Sequence, residues 1–269
     1  MFDIAAGPHI TGLFTLFRRE CEPDFVFKGE SHDFWELVCV LEGRVRVAAD
    51  EQVFELEAGQ AILHPPMQFH SIASADNTSP VYIICSFNGH DLPPITDRVC
   101  RIPDISAVKA LYELGRRCYS FYADIHIGNY ATDTTEPKQF VKQLEMLPLT
   151  LADQPSQPQQ TLSQSARNYS RIVTALGELV PRRLTVADMA KHCQMSEVNL
   201  QKTFSRYAGV GVMEYYTRLC MRHAASLLCQ GYSVKETAAR LGYADQNYFS
   251  TVFKRVTGHT PSRAGKEKF

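Results

Sequence analysis

The eight cysteines are scattered and include no Cys-x-x-Cys pair. Several, such as Cys39, Cys193 and Cys229, fall in apolar patterns, the placement of buried reduced thiols in a cytoplasmic protein, and nothing singles out Cys100 or Cys118 as a redox sensor. No apolar run approaches the roughly 18 residues of a membrane span. No basic segment precedes an apolar core near Met1, so neither secretion nor membrane insertion is expected. Low complexity is confined to residues 152–165, rich in Gln, Pro and Ser, which read as a flexible linker. Net charge is nearly absent too, at minus one over 269 residues, and as a single figure it points to no partner.

Divided after Ala166, the charge is strongly asymmetric. The first part carries 12 Lys and Arg against 22 Asp and Glu; the second carries 16 against 7. A basic unit joined to an acidic one suggests a nucleic-acid module tied to something that stays off phosphate. The length allows two domains of ordinary size, placed at residues 1–151 and 167–269 with a linker at 152–166.

The basic part contains a repeat. Ala190 matches Ala238 at an offset of 48, while Leu200, Phe204, Arg206 and Gly209 match Phe249, Phe253, Arg255 and Gly258 at 49. Val186, Met189, Ala190 and Cys193 have the spacing of an apolar helical face, and Val198, Leu200 and Phe204 continue it after a break at Gln194-Met195-Ser196. Ser196 is placed to cap the next helix. In the second copy Val234, Thr237, Ala238 and Leu241 precede Gly242, a helix terminator, and Asp245 is placed as the next cap. The pattern predicts two helix-turn-helix units joined by a helix from Met213 to about Cys229. Such a joining helix can present two recognition helices to successive major-groove segments about 34 Å apart.

From about Tyr169 to Pro261 the chain resembles the DNA-binding domain of the AraC family of transcription regulators. The resemblance rests on Leu184-Thr185-Val186-Ala187-Asp188-Met189-Ala190, on Met195-Ser196 leading to Leu200 and Phe204, and on the segment 238–253 followed by Thr260-Pro261-Ser262. Cys220 and Ala264-Gly265 depart from the family's usual Arg and Tyr-Arg. The resemblance implies base-reading positions at Val198, Gln201 and Lys202 in the first recognition helix and Gln246, Asn247 and Thr251 in the second. Gln and Asn suit adenine, Lys suits guanine, and Val or a Thr methyl suits the thymine methyl. Thr203, Arg206, Ser250, Lys254 and Arg255 are expected at phosphates.

The acidic part reads as short strands. Phe34-Trp35-Glu36-Leu37-Val38-Cys39-Val40-Leu41 is aromatic and β-branched; residues 44–48, 53–56, 61–64 and 81–87 follow, punctuated by Gly43, Gly59 and Pro65-Pro66. The expected class is α+β in two domains: a β barrel with flanking helices, then an all-α domain with two helix-turn-helix motifs. Which strand face points inward is open, because both parities are apolar.

The order His32, Glu36, Gly43, then Leu56, Gly59, Pro65-Pro66 and His70 resembles the cupin-like sensing domain of many AraC-family members. It implies a small-molecule effector, a sugar or related metabolite, held by His32, Trp35, Glu36, His64 and His70. The competing class is a metal-dependent cupin enzyme fused to a DNA-binding module, since His32, Glu36 and His70 are metal-ligand types. Metal-binding cupins have His-x-His where this chain has Glu30 and His32, so no metal and no cofactor are expected. Another reading leaves the histidines as hydrogen-bonded structural residues.

Ile105, Val108, Leu111, Tyr112, Cys118, Tyr119 and Tyr122 predict a helix over residues 105–123. Phe140, Leu144, Leu147 and Leu151 have the spacing of a helical seam, read as a dimer interface, with Pro148 ending the helix at Leu147. The whole is read as a cytoplasmic, homodimeric transcription activator, not an enzyme and not membrane-bound, whose partners are double-stranded operator DNA, an effector and RNA polymerase.

Overall fold

The computed structural model describes residues 7–96, 98–118, 135–155 and 163–264. Eight strands come first: β1 (His9–Glu20), β2 (Trp35–Glu42), β3 (Arg44–Ala49), β4 (Gln52–Glu57), β5 (Gln60–His64), β6 (His70–Ser74), β7 (Val81–His90) and β8 (Cys100–Arg101). They form two sheets, ordered β1-β7-β2-β5-β8 and β4-β3-β6, with antiparallel neighbours. All five runs expected from the sequence are strands. β1, β6 and β8 were not expected: β1 carries Gly12 and two register shifts against β7, which blur its alternation, β6 is a short run after the Pro65-Pro66 turn, and β8 is only two residues long.

β2 settles the question of parity. It lies between β7 and β5, which pair both of its edges, and its faces are covered by the helices on one side and the second sheet on the other, so it is buried almost throughout. Leu37, Cys39 and Leu41 pack outward with Val108, Leu111, Phe140 and Leu144 of the helices. Val38 and Val40 pack inward with Val45, Val47 and Leu56 of the facing strands and with Ile62 of the neighbouring β5. Glu36 shares the parity of Val38 and Val40 and therefore belongs to the interior.

Helix α1 (Ile105–Cys118) and helix α2 (Thr135–Ala152) cover the outer face of the large sheet. Residues 119–123 of the expected first helix lie outside the described residues. Two expectations are corrected in α2. Pro148 does not end it: the helix runs on to Ala152, and Asp153 N–H donates to the Leu149 carbonyl, so the ladder resumes beyond the proline. A proline inside a helix costs about 3 kcal/mol, and here Leu144, Pro148 and Leu151 are buried together with the sheet, which offsets it. The seam is not a free dimer face either, because Phe140, Leu144 and Leu151 are buried in the subunit's own core at 1–2% exposure. The outward side of α2 is polar apart from Met146.

The second half is helical: α3 (Gln164–Leu179), α4 (Val186–His192), α5 (Glu197–Ala208), α6 (Val212–Cys229), α7 (Val234–Arg240), α8 (Gln246–Thr257) and α9 (Pro261–Ala264). Residues 156–162, within the expected linker, lie outside the described residues. Ser196 and Asp245 cap α5 and α8 as expected, accepting from Asn199 N–H and Asn247 N–H. Both helices end in left-handed glycines, Gly209 and Gly258. The helices that precede them, α4 and α7, each start in a capping box, Thr185 with Asp188 and Ser233 with Glu236. Cys39 and Cys193 are buried as the apolar pattern implied, whereas Cys229 is exposed at the end of α6.

The two halves are joined by apolar packing. Phe69, Ala48 and Val53 of the β domain belong to the core of the helical half, and Phe69 sets its ring edge-on to Tyr215 at 4.7 Å between centroids. Around this contact, Gly29 N–H donates to the Ala208 carbonyl at 3.0 Å, the Ser71 hydroxyl donates to the Tyr207 carbonyl, and Arg222 bonds both Asp50 oxygens at 3.1 and 3.2 Å. Gly209 is needed twice over: its φ is +69°, and a Cβ there would lie 2.8 Å from the Phe27 carbonyl oxygen. Phe69→Ala should cost about 3–5 kcal/mol, the range for a buried Phe, and should separate the urea unfolding of the halves into two transitions. Val198→Ala, at an exposed site, should stay within about 0.5 kcal/mol. A single unshifted transition for Phe69→Ala would show that this packing does not hold the halves together.

Candidate functional site

Capping fixes where α5 and α8 begin, and their amphipathic pattern fixes which side faces out. In α5 Leu200, Phe204 and Ala208 are in the core, while Val198, Gln201, Lys202 and Arg206 are exposed, Val198 at 75%. In α8 Phe249, Val252 and Phe253 are in the core, while Gln246, Asn247, Thr251, Lys254 and Arg255 are exposed. Thr203 is not on the open face: it is buried and its hydroxyl donates to the Asn199 side-chain oxygen at 3.3 Å. Ser250 is half-buried and donates to the Gln246 carbonyl, as Thr251 does to that of Asn247. Asn199 and Tyr248 share the exposed faces, and sequence reasoning passed over both. Their signal was the same register that picked out Val198 and Asn247, one position away.

The second constellation lies in the β domain. A cavity of about 1220 Å³ opens there, and His32, Trp35, Glu36, His64 and His70 all line it. Strand register brings them together: Glu36 on β2 stands opposite His64 on β5 and Ser86 on β7. Glu30 forms an isolated bridge with His70, the two exchanging both backbone hydrogen bonds at 2.9 Å. Glu36 is buried at 7% exposure, accepts from the Ser86 hydroxyl at 3.1 Å, and has His70 Nε2 at 3.2 Å and His32 Nε2 at 3.6 Å.

Burial opposes the charge of Glu36, yet His70 and His32 hold its carboxyl well below the usual range. Burial likewise opposes protonation of His70, and the charge of Glu36 outweighs it and raises the imidazole. Burial, reinforced by His70, pushes His64 down to about 3, so it is neutral and can donate from Nδ1 to the Gln68 oxygen at 2.8 Å. Burial and the neighbouring Glu36 raise the carboxyl of Glu30.

Trp35 lies on the other parity. Its indole N–H donates to the Gly89 carbonyl at 3.1 Å and its ring packs against the outer cluster, so it reaches only the rim. The aromatic surface of the cavity comes instead from Phe14 and Phe34, stacked at 4.4 Å, with Phe34 also stacked on His32 at 3.8 Å. Glu30 completes the group: one ligand atom each from Glu30, His32, Glu36 and His70 lies within 4.8 Å of the others. The cavity also has a wall the sequence did not foretell. Val256, Thr257, Gly258 and His259, at the end of α8, and Arg263 of α9 line it as well, and His259 Nε2 lies 3.0 Å from the Asp33 carboxylate.

Residues 189–267 match the Helix-turn-helix domain family, and residues 15–109 match the AraC-like ligand binding domain family. The chain belongs to the AraC family of transcription regulators. It is a DNA-binding regulator with a ligand-binding domain, not an enzyme, which removes the metal-dependent cupin enzyme as a reading. The uncharacterized HTH-type transcriptional regulator YidL of Escherichia coli is 38% identical over 97 residues, 36% of this chain and 33% of that protein. The Msm operon regulatory protein of Streptococcus mutans is 25% identical over 93% of this chain and 90% of its own. The HTH-type transcriptional activator RhaR of Shigella dysenteriae is 23% identical over 91% and 89%. No helix among the described residues is long and apolar enough to cross a membrane.

The N-caps set the helix ends of this regulator that carry its exposed polar side chains. Ser196→Ala and Asp245→Ala should each cost about 1 kcal/mol of stability, read by urea unfolding, and should weaken DNA binding through fraying of the first turn. Unchanged midpoints would mean that the caps are dispensable.

Proposed function

We propose that the regulator reads operator DNA with Val198, Gln201, Lys202, Gln246, Asn247 and Thr251, holds phosphates with Arg206, Lys254 and Arg255, and responds to a small polar effector in the shared cavity. The effector class is a sugar or related metabolite. Its support is the lining: buried carboxylate, imidazole and hydroxyl groups able to bond hydroxyls, beside the apolar faces of Phe14 and Phe34. Activation is the direction proposed, in line with the name of RhaR, with RNA polymerase as partner. A homodimer would use a face other than the Phe140-Leu144-Leu151 seam.

The observation that carries the coupling is that the cavity is walled by both halves. An effector that touches His32 or Glu36 on one side and the α8–α9 turn on the other has different contacts when the halves dock and when they part. That difference in affinity is what lets a ligand shift the arrangement. Thermal unfolding of the full-length regulator against a panel of sugars and sugar acids should show one that raises Tm, by an amount equivalent to about 2.7 kcal/mol at 100 times Kd. The same compound should change DNA affinity. A panel without effect on either would remove the effector from the proposal.

The DNA side is tested separately. Lys202→Ala and Asn247→Ala should each relax selectivity at one base pair, at a cost of about 1–3 kcal/mol, while Arg255→Ala should weaken all sequences alike and reduce the salt slope by about 1. Footprints identical to the unaltered protein for both base-reading variants would displace the register given above.

A further inference from the structure

We infer that Glu30, His32, Glu36 and His70 form a site for one divalent first-row transition-metal ion. The inference goes beyond the effector reading and does not rest on it. Three features of the cluster point to a cation.

The first is the orientation of the imidazoles. His32 Nδ1 lies 3.0 Å from the Phe34 carbonyl oxygen and His70 Nδ1 lies 3.1 Å from that of Gln68. A carbonyl only accepts, so each Nδ1 carries the proton and each Nε2 is the nitrogen left to bind. A backbone carbonyl behind one ring nitrogen is how proteins orient a metal-bound histidine. The second is that both Nε2 atoms are buried and make no hydrogen bond, although a Glu36 oxygen lies within 3.6 Å of each. His70 is 4% exposed, so no bulk water serves its nitrogen. The third is charge. Two carboxylates, Glu30 and Glu36, converge in an enclosed place, and a cation between them would offset their mutual repulsion.

The donor set of two imidazole nitrogens and two carboxylate oxygens suits Mn, Fe, Co, Ni or Zn, and it is poor for Ca or Mg, which favour oxygen alone. The 4.8 Å spread of the four ligand atoms is one that bonds of about 2.0–2.2 Å can close with small side-chain rotations. All four residues line the cavity. An effector with adjacent oxygens could then complete the coordination.

The test uses full-length protein stripped with a chelator, with no sugar present. Mn(II), Co(II), Ni(II) and Zn(II) are added singly; bound metal is counted after dialysis, Tm is recorded, and Co(II) is followed by its visible absorption. The expected result is one equivalent of at least one metal, a raised Tm, and affinity about ten-fold or more weaker in His70→Ala and His32→Ala. A double variant of the exposed His192 and His223, both to Ala, should bind as the unaltered protein does. Circular dichroism checks that each variant folds; should His70→Ala fail, His32→Ala and Glu30→Gln, at half-buried positions, carry the test. No saturable binding overturns the inference, as does binding that survives in the cluster variants and is lost in the surface double variant. A sugar that raises Tm of the metal-free protein, with no metal bound in any trial, would sink the cation and leave the effector standing.

Discussion

A carboxylate on the central strand of a β domain, 7% exposed, is the constraint around which the sensing half is arranged. An unmatched charge at such a depth costs several kcal/mol, so the strands around β2 must bring polar partners to that level and apolar side chains elsewhere. They do both. Ser86, His64 and His70 come from β7, β5 and β6 to the level of Glu36, while Val38, Val40, Ile62 and Ile84 fill the same face one and two steps further along. The interior is thereby polarised along the strands, and its polar end is the end to which the helical half contributes His259 and Arg263.

The helical half is held in a way that respects its own task. Each recognition helix touches the β domain through its C-terminal end: α5 through Tyr207, Ala208 and Gly209, α8 through the segment leading to His259. The first turns of both, with Val198 and with Gln246 and Asn247, stay exposed. Helix-turn-helix proteins read bases chiefly with the N-terminal residues of the recognition helix, so the sensing domain grips the ends that DNA leaves free. The cavity thus borders the C-terminal end of α8, while the first turns proposed to meet the bases are left uncovered.

Much of this was legible in the sequence, and the reasons differ by region. The helical half was read closely because its signals are local: Ser196, Asp245, Gly209 and Gly258 each fix a helix end within a few residues, and the repeat states the pattern twice. The capping boxes at Thr185-Asp188 and Ser233-Glu236 are equally local signals, each joining residues three apart. The β domain was legible as strands but not as faces. Burial of β2 on both sides erases the alternation that would have shown Glu36 inward and Trp35 outward. Glu30 was noticed in the sequence only as standing where metal-binding cupins have a His; its bridge to His70, forty positions away, is encoded by no local pattern. Pro148 misled because the cost of a proline in a helix is visible in the sequence while the packing that offsets it is not.

The charge asymmetry takes on a definite meaning once the docking is known. Two polar pairs across the joint run in one sense, an acid from the β domain against a basic side chain from the helical half: Asp50 in an ion pair with Arg222, and Asp33 in hydrogen-bond contact with His259. Neither basic partner lies on the exposed faces of α5 and α8, where Lys202, Lys254 and Arg255 remain outward. The acidic domain therefore docks without drawing on those exposed cations, and its own negative balance disfavours its contact with a polyanion. Because the Asp33–His259 pair sits at the cavity wall, any charged or polar guest changes the field at that contact directly. The Asp50–Arg222 pair does not line that cavity and stands behind Met67, whose carbonyl accepts from Arg222 at 3.1 Å and which follows directly on Pro66 of the cavity wall. Of the two pairs, the one at His259 is thus the one that occupancy of the cavity can address, and it lies two residues beyond the end of the second recognition helix.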